Sequence, residues 1–162
     1  MKALKKIIIA VIALSVVLLT GCKGEPLLTK VTIDDGMEIM LPREMSEQTM
    51  PGHDYFYSDG TAMVIIDRTT DEEWAEFGVT SATDVTEILE KLTLNSKEFV
   101  PNEAGNPYMT DTKELSGKEY CLYVTGRHEN GSLWSVEFMC PTEKQREYAQ
   151  HFDEWNNSIV IK

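Results

Sequence analysis

The chain has 162 residues, of which 27 are acidic and 15 are basic, so its formal net charge at pH 7 is −12. Because nucleic acid and anionic membrane surfaces are themselves polyanions, an acidic chain of this kind is a poor partner for either. The length is sufficient for one domain with a buried core. Composition therefore predicts a single acidic domain that is well solvated, binds a basic partner or holds cations loosely.

Three lysines between positions 2 and 6 precede the apolar run from Ile7 to Leu19, and Thr20-Gly21-Cys22 follows that run. These 22 residues resemble the lipobox signal of bacterial lipoproteins. A basic start, an apolar stretch and a small residue at the cleavage site are typical of export signals. The run is shorter than the roughly 20 residues of a membrane-spanning anchor. A spanning anchor and an ordinary secretory signal with an incidental cysteine are the two alternatives.

The lipoprotein resemblance implies removal of residues 1–21 and attachment of diacylglycerol and acyl chains such as palmitate to Cys22. The signal contains three lysines and no acidic residue, so the net charge of the mature chain is about −15. More than one acyl chain gives a stable anchor. We therefore expect a protein held at the extracytoplasmic face of the cell membrane, with a short tether at 22–28 and one domain at 29–162.

Two hairpins are predicted at the start of the domain. Val31 and Ile33 alternate with polar residues, and a three-residue turn with a left-handed Gly36 sets Ile33 opposite Met37. After a predicted loop at 43–53, strands 55–57 and 62–66 form the second hairpin. Because the run from Met63 to Ile66 is apolar on both faces, it indicates a central strand covered on both sides.

Three helices are predicted from their start and stop residues. Thr70 and the acidic residues after it begin a short helix that carries Trp74 and Phe77 and ends at Gly78. Two capping-box patterns, at 81–84 and 142–145, open helices over about 83–95 and through Trp155. The stretch 100–108 is predicted to be a loop, 109–115 a strand and 159–161 an edge strand or a packed tail.

A late hairpin has the strongest signal in the chain. Strands 120–127 and 133–140 flank Asn130-Gly131, the pair most typical of a two-residue hairpin turn. That turn places Cys121 directly opposite Cys140, with Cα atoms about 4.5–5.5 Å apart, within the range of a disulfide. The alternatives are a disulfide and two buried reduced thiols. Cys22 is accounted for by its lipid.

The predicted elements indicate an α+β domain, an antiparallel sheet of hairpins covered by helices. The segments MEIMLP, AMVIID and EILEKL, the late hairpin GKEYCLYVTG to SLWSVEFMCP, and the end FDEWNNSIVI resemble the PsbP/Mog1p-like fold. The resemblance implies an α/β/α sandwich over nearly the whole mature chain. It also implies a binding or assembly role, and it transfers no site residue.

No residue pattern for catalysis or for a metal is found. His53, His128 and His151 lack partners at metal-ligand spacing and are predicted to lie at the surface. The acidic turns at 34–36 and 59–60 lack the oxygen spacing of a calcium loop. We therefore expect no enzyme activity and no cofactor other than the acyl anchor on Cys22.

Aromatic residues provide the remaining candidate contacts. Tyr55, Tyr57 and Trp74 are candidates for a contact surface, since exposed aromatic rings beside carboxylates can bind sugars or basic ligands. The alternatives are that Trp74 packs inward and that the tyrosines lie under a helix or at the rim of the sheet.

These observations favour a non-enzymatic binding or protein-interaction module whose partner is an unknown envelope protein or a small ligand. One alternative is a structural component of an envelope assembly, which would expose a large apolar patch. Another is a surface hydrolase, which would place two carboxylates face to face in a cleft.

Overall fold

The computed structural model describes residues 26–34, 36–92 and 98–162. Residues 1–21, Cys22 and the tether up to residue 25 lie outside this range, so the lipoprotein prediction is not tested by it. The strands are β1 Leu28–Ile33, β2 Met37–Pro42, β3 Ser46–Gln48, β4 Tyr55–Ser58, β5 Met63–Thr70, β6 Val100–Pro101, β7 Pro107–Leu115, β8 Lys118–Glu129, β9 Ser132–Pro141 and β10 Val160–Ile161. The helices are α1 Asp71–Trp74, α2 Val85–Leu92 and α3 Gln145–Asn157. None of these described helices has the length and apolar character needed to cross a membrane.

The strands form two antiparallel sheets. The larger has the order β3-β4-β5-β9-β8-β7-β6, and the smaller has the order β1-β2-β10. All three predicted hairpins are present, which confirms the α+β class. The first hairpin does not join the main sheet, because its apolar side chains pack onto one face of that sheet instead.

Two cores lie on opposite faces of the main sheet. On β5, Val64 and Ile66 belong to the first core, beneath the small sheet and α3, while Ile65 belongs to the second core, beneath α2. Phe152 and Trp155 of α3 are at most 2% exposed in the first core. The prediction of a central strand covered on both sides is therefore confirmed, since β5 lies between two packed layers.

The first hairpin has the predicted register, with Ile33 opposite Met37. The prediction of a left-handed Gly36 is wrong, because the left-handed residue is Asp34, with φ of 43°. Glycine is needed at position 36 for space instead. A Cβ atom there would lie 2.7 Å from Cζ2 of Trp134, whose side chain is buried.

The three helices begin near their predicted positions, and the predicted capping interaction is present at one of them. At α1 the predicted start is confirmed: Thr70 Oγ1 accepts from the N–H of Glu73, and the Glu73 carboxylate accepts from the N–H of Thr70. At α2 the capping residue is Asp84 rather than Ser81, since Asp84 Oδ1 accepts from the N–H of Thr86 at 2.8 Å. Before α3, a 3-10 turn replaces the predicted capping box, and Thr142 Oγ1 has no hydrogen-bond partner among the described residues.

Two short strands were not predicted. The edge strand β3 lies in the predicted loop 43–53, and β6 lies in the predicted loop 100–108. Both are too short to show alternation in the sequence, and they form because a longer strand supplies the hydrogen-bond partners. The predicted end of the second helix falls within 93–97, outside the described residues. The final strand β10 pairs with β2, as one of the two alternatives for the chain end predicted.

We expect Gly36→Ala to lower the free energy of unfolding by about 1–3 kcal/mol, because the added methyl group overlaps the ring of Trp134. Urea denaturation followed by circular dichroism measures this loss. In a Trp134→Phe background, the same substitution should cost less, because the smaller ring leaves room for the methyl group. An equal loss in both backgrounds would contradict the steric explanation.

Candidate functional site

A pocket of about 230 Å³ opens between α3 and the β7–β8 pair. The helix contributes Gln145, Ala149, Phe152 and Asp153 to the lining. Their spacings of four, three and one residues place them on one face of α3. Thr110 of β7 lies opposite Tyr123 of β8, so both side chains point to the same side of the sheet. The lining residues are Tyr108, Thr110, Cys121, Tyr123, Gln145, Ala149, Phe152 and Asp153.

Aromatic rings form one wall of this pocket. The rings of Tyr108 and Tyr123 are stacked, with centroids 4.8 Å apart and planes 9° apart. Phe152 meets Tyr123 edge-on at 6.2 Å. Such pairs stabilise each other beyond simple burial, which gives the wall a defined shape.

Among the described residues that line the pocket, Asp153 carries the one charged side chain. Its Oδ1 atom accepts hydrogen bonds from Asn102 Nδ2 at 2.7 Å and from the Tyr123 hydroxyl at 3.2 Å. Asn102 and Asn106 also donate to Asn157 Oδ1, which attaches the 102–106 loop to the end of α3. The carboxylate is therefore oriented by two uncharged donors.

Beneath the pocket lies a buried polar network centred on Asn156, which is 0% exposed. Its Oδ1 accepts from Arg127 Nη2 at 3.0 Å and from Thr125 Oγ1 at 2.9 Å. Its Nδ2 donates to the Tyr123 hydroxyl at 3.0 Å. Burial raises the pKa of Tyr123 far above its usual value and lowers that of Arg127. Tyr123 is therefore a neutral phenol that both donates and accepts.

The two cysteines of the late hairpin lie directly opposite each other, as the two-residue turn predicted. Both are buried free thiols in the structure, and the disulfide stays a prediction. Burial raises the pKa of Cys121. Burial, as the larger cause, and the neighbouring Cys121 raise the pKa of Cys140 to about 12. Because the nucleophilic form of cysteine is the thiolate, neither group is activated for catalysis.

The prediction that all three histidines lie at the surface is wrong for His128, whose side chain is 3% exposed. Its Nε2 lies 2.7 Å from Asp71 Oδ1, and its Nδ1 lies 2.9 Å from the carbonyl oxygen of Thr83. The ring therefore links Asp71, at the start of α1, to the loop before α2. The contact with Asp71 joins residues 57 positions apart, so no local sequence pattern predicts it. The described residues contain no group of three or more His, Cys, Asp or Glu side chains that could hold a metal ion.

The three aromatic residues proposed as contacts do not form one surface. Tyr57 is 6% exposed within the first core, and Tyr55 is half-buried beside it, with its hydroxyl donating to Asp34. Trp74 is half-buried against the second core, on the opposite side of the main sheet. Trp74 therefore packs inward, as one alternative stated, while the tyrosines lie against the first core. The remaining candidate residue, Cys22, is outside the described range.

The pocket itself was not predicted. Its residues come from a pair of consecutive strands and from a helix that follows only after β9, and they form no recognised motif. The only sequence signals were the strand alternation that places Cys121 and Tyr123 on one face, and the helical spacing of Ala149 and Phe152.

Comparisons with solved structures show similarity of fold. A protein of Bacteroides thetaiotaomicron superposes with a TM-score of 0.59 at 12% identity, over 82% of this chain and 48% of its own. This chain thus spans about half the length of that protein. Cyanobacterial PsbP of Synechocystis superposes with a TM-score of 0.50 at 11% identity, over 90% of this chain and 99% of its own.

The Ran-binding protein Mog1p of Saccharomyces cerevisiae superposes with a TM-score of 0.49 at 9% identity, over 85% of this chain and 96% of its own. No family model and no curated protein sequence matches the chain. At identities this low, the likeness is one of architecture. The superposition on PsbP confirms the predicted PsbP-like α+β fold.

We expect the thiols of the folded protein to resist alkylation by iodoacetamide at pH 8 in reducing buffer. Because their pKa values are raised, little thiolate is present, and the reaction at Cys140 should be about 100-fold or more slower than in urea. The rate should rise as the pH rises. Peptide-resolved mass spectrometry follows each site, and equal rates in the folded and denatured chain at Cys140 would contradict the expectation. Without reductant, a two-proton mass deficit would identify the disulfide.

Proposed function

We propose that this protein is a lipid-anchored lipoprotein of the extracytoplasmic membrane face whose α+β domain acts as a non-enzymatic binding module. The observation that carries the proposal is the pocket between α3 and β7–β8. It combines stacked rings with one oriented carboxylate, the combination of apolar wall and placed polar group that ligand sites use.

The position of the domain relative to the anchor supports binding close to the membrane. The main-chain oxygen of Leu27 accepts from the N–H of Arg43 at 2.8 Å, so the chain is attached to the domain from Leu27 onward. About five extended residues separate it from Cys22, a reach of roughly 17 Å. In the proposed arrangement, the pocket therefore serves partners in or near the membrane surface.

Binding accounts for the pocket better than hydrolysis does. A carboxylate-based hydrolase needs a pair of acidic groups across the cleft, and the pocket lining contains only Asp153. The thiol of Cys121 in the pocket wall has a raised pKa and is a weak nucleophile. The lining groups are thus suited to recognising a ligand.

A structural role in an envelope assembly is the second candidate, and its support is weaker. It requires a contiguous apolar surface, whereas the exposed large apolar side chains among the described residues lie in separate parts of the fold. They are Leu27, Leu28, Phe77, Val100 and Val160. Apart from the adjacent pair at 27–28 they are scattered singly, and such residues are ordinary on a protein surface.

The anchor is tested with Cys22→Ala. We expect this variant to leave the membrane fraction and to lose the mass of its acyl groups, because alanine lacks the thiol that carries the acyl chains. Cys121→Ala is the matched control, since it also removes one cysteine and should remain in the membrane. Retention of unprocessed Cys22→Ala in the membrane would instead favour a spanning signal anchor.

The binding function is tested by filling the pocket. Ala149 lines the pocket and lies on an exposed part of α3, so Ala149→Trp should block the pocket without disturbing the core. Gln150→Trp adds the same ring one position away from the lining. Proteins and small molecules that co-purify with the cross-linked lipoprotein from its own membrane are measured by mass spectrometry.

We expect a bound molecule to be retained by the wild type and Gln150→Trp and lost by Ala149→Trp. Identical recovery from all three forms would contradict binding through the pocket. A stoichiometric protein partner that survives Ala149→Trp would favour the assembly role.

A further inference from the structure

The volume of the pocket limits the size of the ligand group that it can enclose. At 230 Å³ it lies below the roughly 300–1,000 Å³ of pockets for drug-sized ligands. It therefore suits a group the size of one long amino-acid side chain.

The charge of the pocket determines the sign of that group. Asp153 is the single charged side chain in the lining, and no ion pair within the described part of the chain involves it. Both of its hydrogen bonds from described residues reach Oδ1. The Oδ2 atom and the negative charge thus remain for a ligand.

On the pocket side of β7 and β8, the one basic side chain is Arg127, which is bound by Asn156 beneath the pocket and does not line it. Side chains alternate between the two faces along β7 and β8, so Glu114 and Glu119, which pair with each other, share the face of Tyr123. Lys113 and Lys118 occupy alternate positions and lie on the opposite face. An anionic ligand in the pocket would therefore meet the carboxylate of Asp153 and, on the exposed part of this face, those of Glu114 and Glu119.

The aromatic wall suits a cation with an apolar stem. Ring faces of tyrosine attract ammonium and guanidinium groups within about 6 Å and also pack against methylene groups. Tyr108 and Tyr123 present such rings beside the carboxylate. Carboxylate and ring faces therefore act together on the same type of group.

We propose that this pocket binds an ammonium or guanidinium group carried on a short aliphatic stem, with Asp153 Oδ2 accepting hydrogen bonds from the cation and the stacked tyrosine pair forming the wall against which the stem packs. This inference rests on the proposed binding function and names its ligand class. The group belongs either to a free small amine or guanidine or to a lysine or arginine side chain of a protein partner.

The test uses the full-length protein in detergent and pairs of probes that differ in charge. n-Butylguanidinium is compared with the isosteric but neutral n-butylurea by ligand-detected NMR titration. We expect the cation to bind at least about tenfold more tightly, because a hydrogen bond to a charged group is the stronger one. Equal affinities, or no binding of either probe, would overturn the proposal without the need for any variant.

Asp153→Asn tests the named carboxylate. Asparagine keeps an oxygen that accepts from Asn102 and Tyr123 while it removes the charge, so the fold should be preserved, as circular dichroism checks. We expect its affinity for n-butylguanidinium to fall about tenfold or more. Glu154→Gln removes one charge from the next, exposed position of α3 and should leave the affinity unchanged. Equal affinities of both variants would overturn the assignment to Asp153.

The two sources of the cation are separated with capped Gly-Arg-Gly and Gly-citrulline-Gly peptides. Tighter binding of the arginine peptide than of n-butylguanidinium indicates a protein side chain, and weaker binding indicates a free small cation. If Ala149→Trp abolishes retention of a natural partner while the cationic probes do not bind, this inference fails and the proposed binding function stands.

Discussion

The two-residue turn Asn130-Gly131 determines the register on which the rest of the domain depends. Both residues have positive φ, 53° and 71°, the conformation of a turn whose twist matches that of a hairpin. It pairs the whole length of β9 with β8, from Glu129 opposite Ser132 to Tyr120 opposite Pro141. A slip by one residue would send every side chain to the opposite face, and both cores and the pocket wall would be lost.

The position of α3 on this hairpin depends on polar as well as apolar contacts. Burial of a large apolar side chain such as Phe152 contributes about 1.5–3 kcal/mol. An unpaired buried polar group costs about 1–3 kcal/mol. If α3 moved, Arg127 and Thr125 would lose Asn156 as their hydrogen-bond partner. Apolar contacts alone allow several placements of α3 with similar energy, and the polar network selects one of them. That placement brings Asp153 to the stacked tyrosines.

In the proposed function, negative charge acts on a cationic ligand both at a distance and in direct contact. Screening limits the attraction between the acidic surface and a cation to about 8 Å at physiological ionic strength. The surface therefore concentrates cations near the domain, whereas a single oriented carboxylate beside two rings distinguishes them at contact. An acidic surface alone attracts any cation, and the proposed site adds selectivity for the size of the cationic group and for its aliphatic stem.

The features that the sequence by itself determined are local ones. The turn at 130–131 and the alternation of β8 and β9 placed Cys121 opposite Cys140, and Thr70 with Glu73 marked the start of α1, because backbone sterics and short-range hydrogen bonds decide such features. Only the tertiary structure decided that Gly36 faces Trp134, that His128 is buried against Asp71, and that a pocket opens beside α3. These contacts join residues far apart in the chain, and they follow from how sheets and helices pack rather than from any pattern of neighbouring residues.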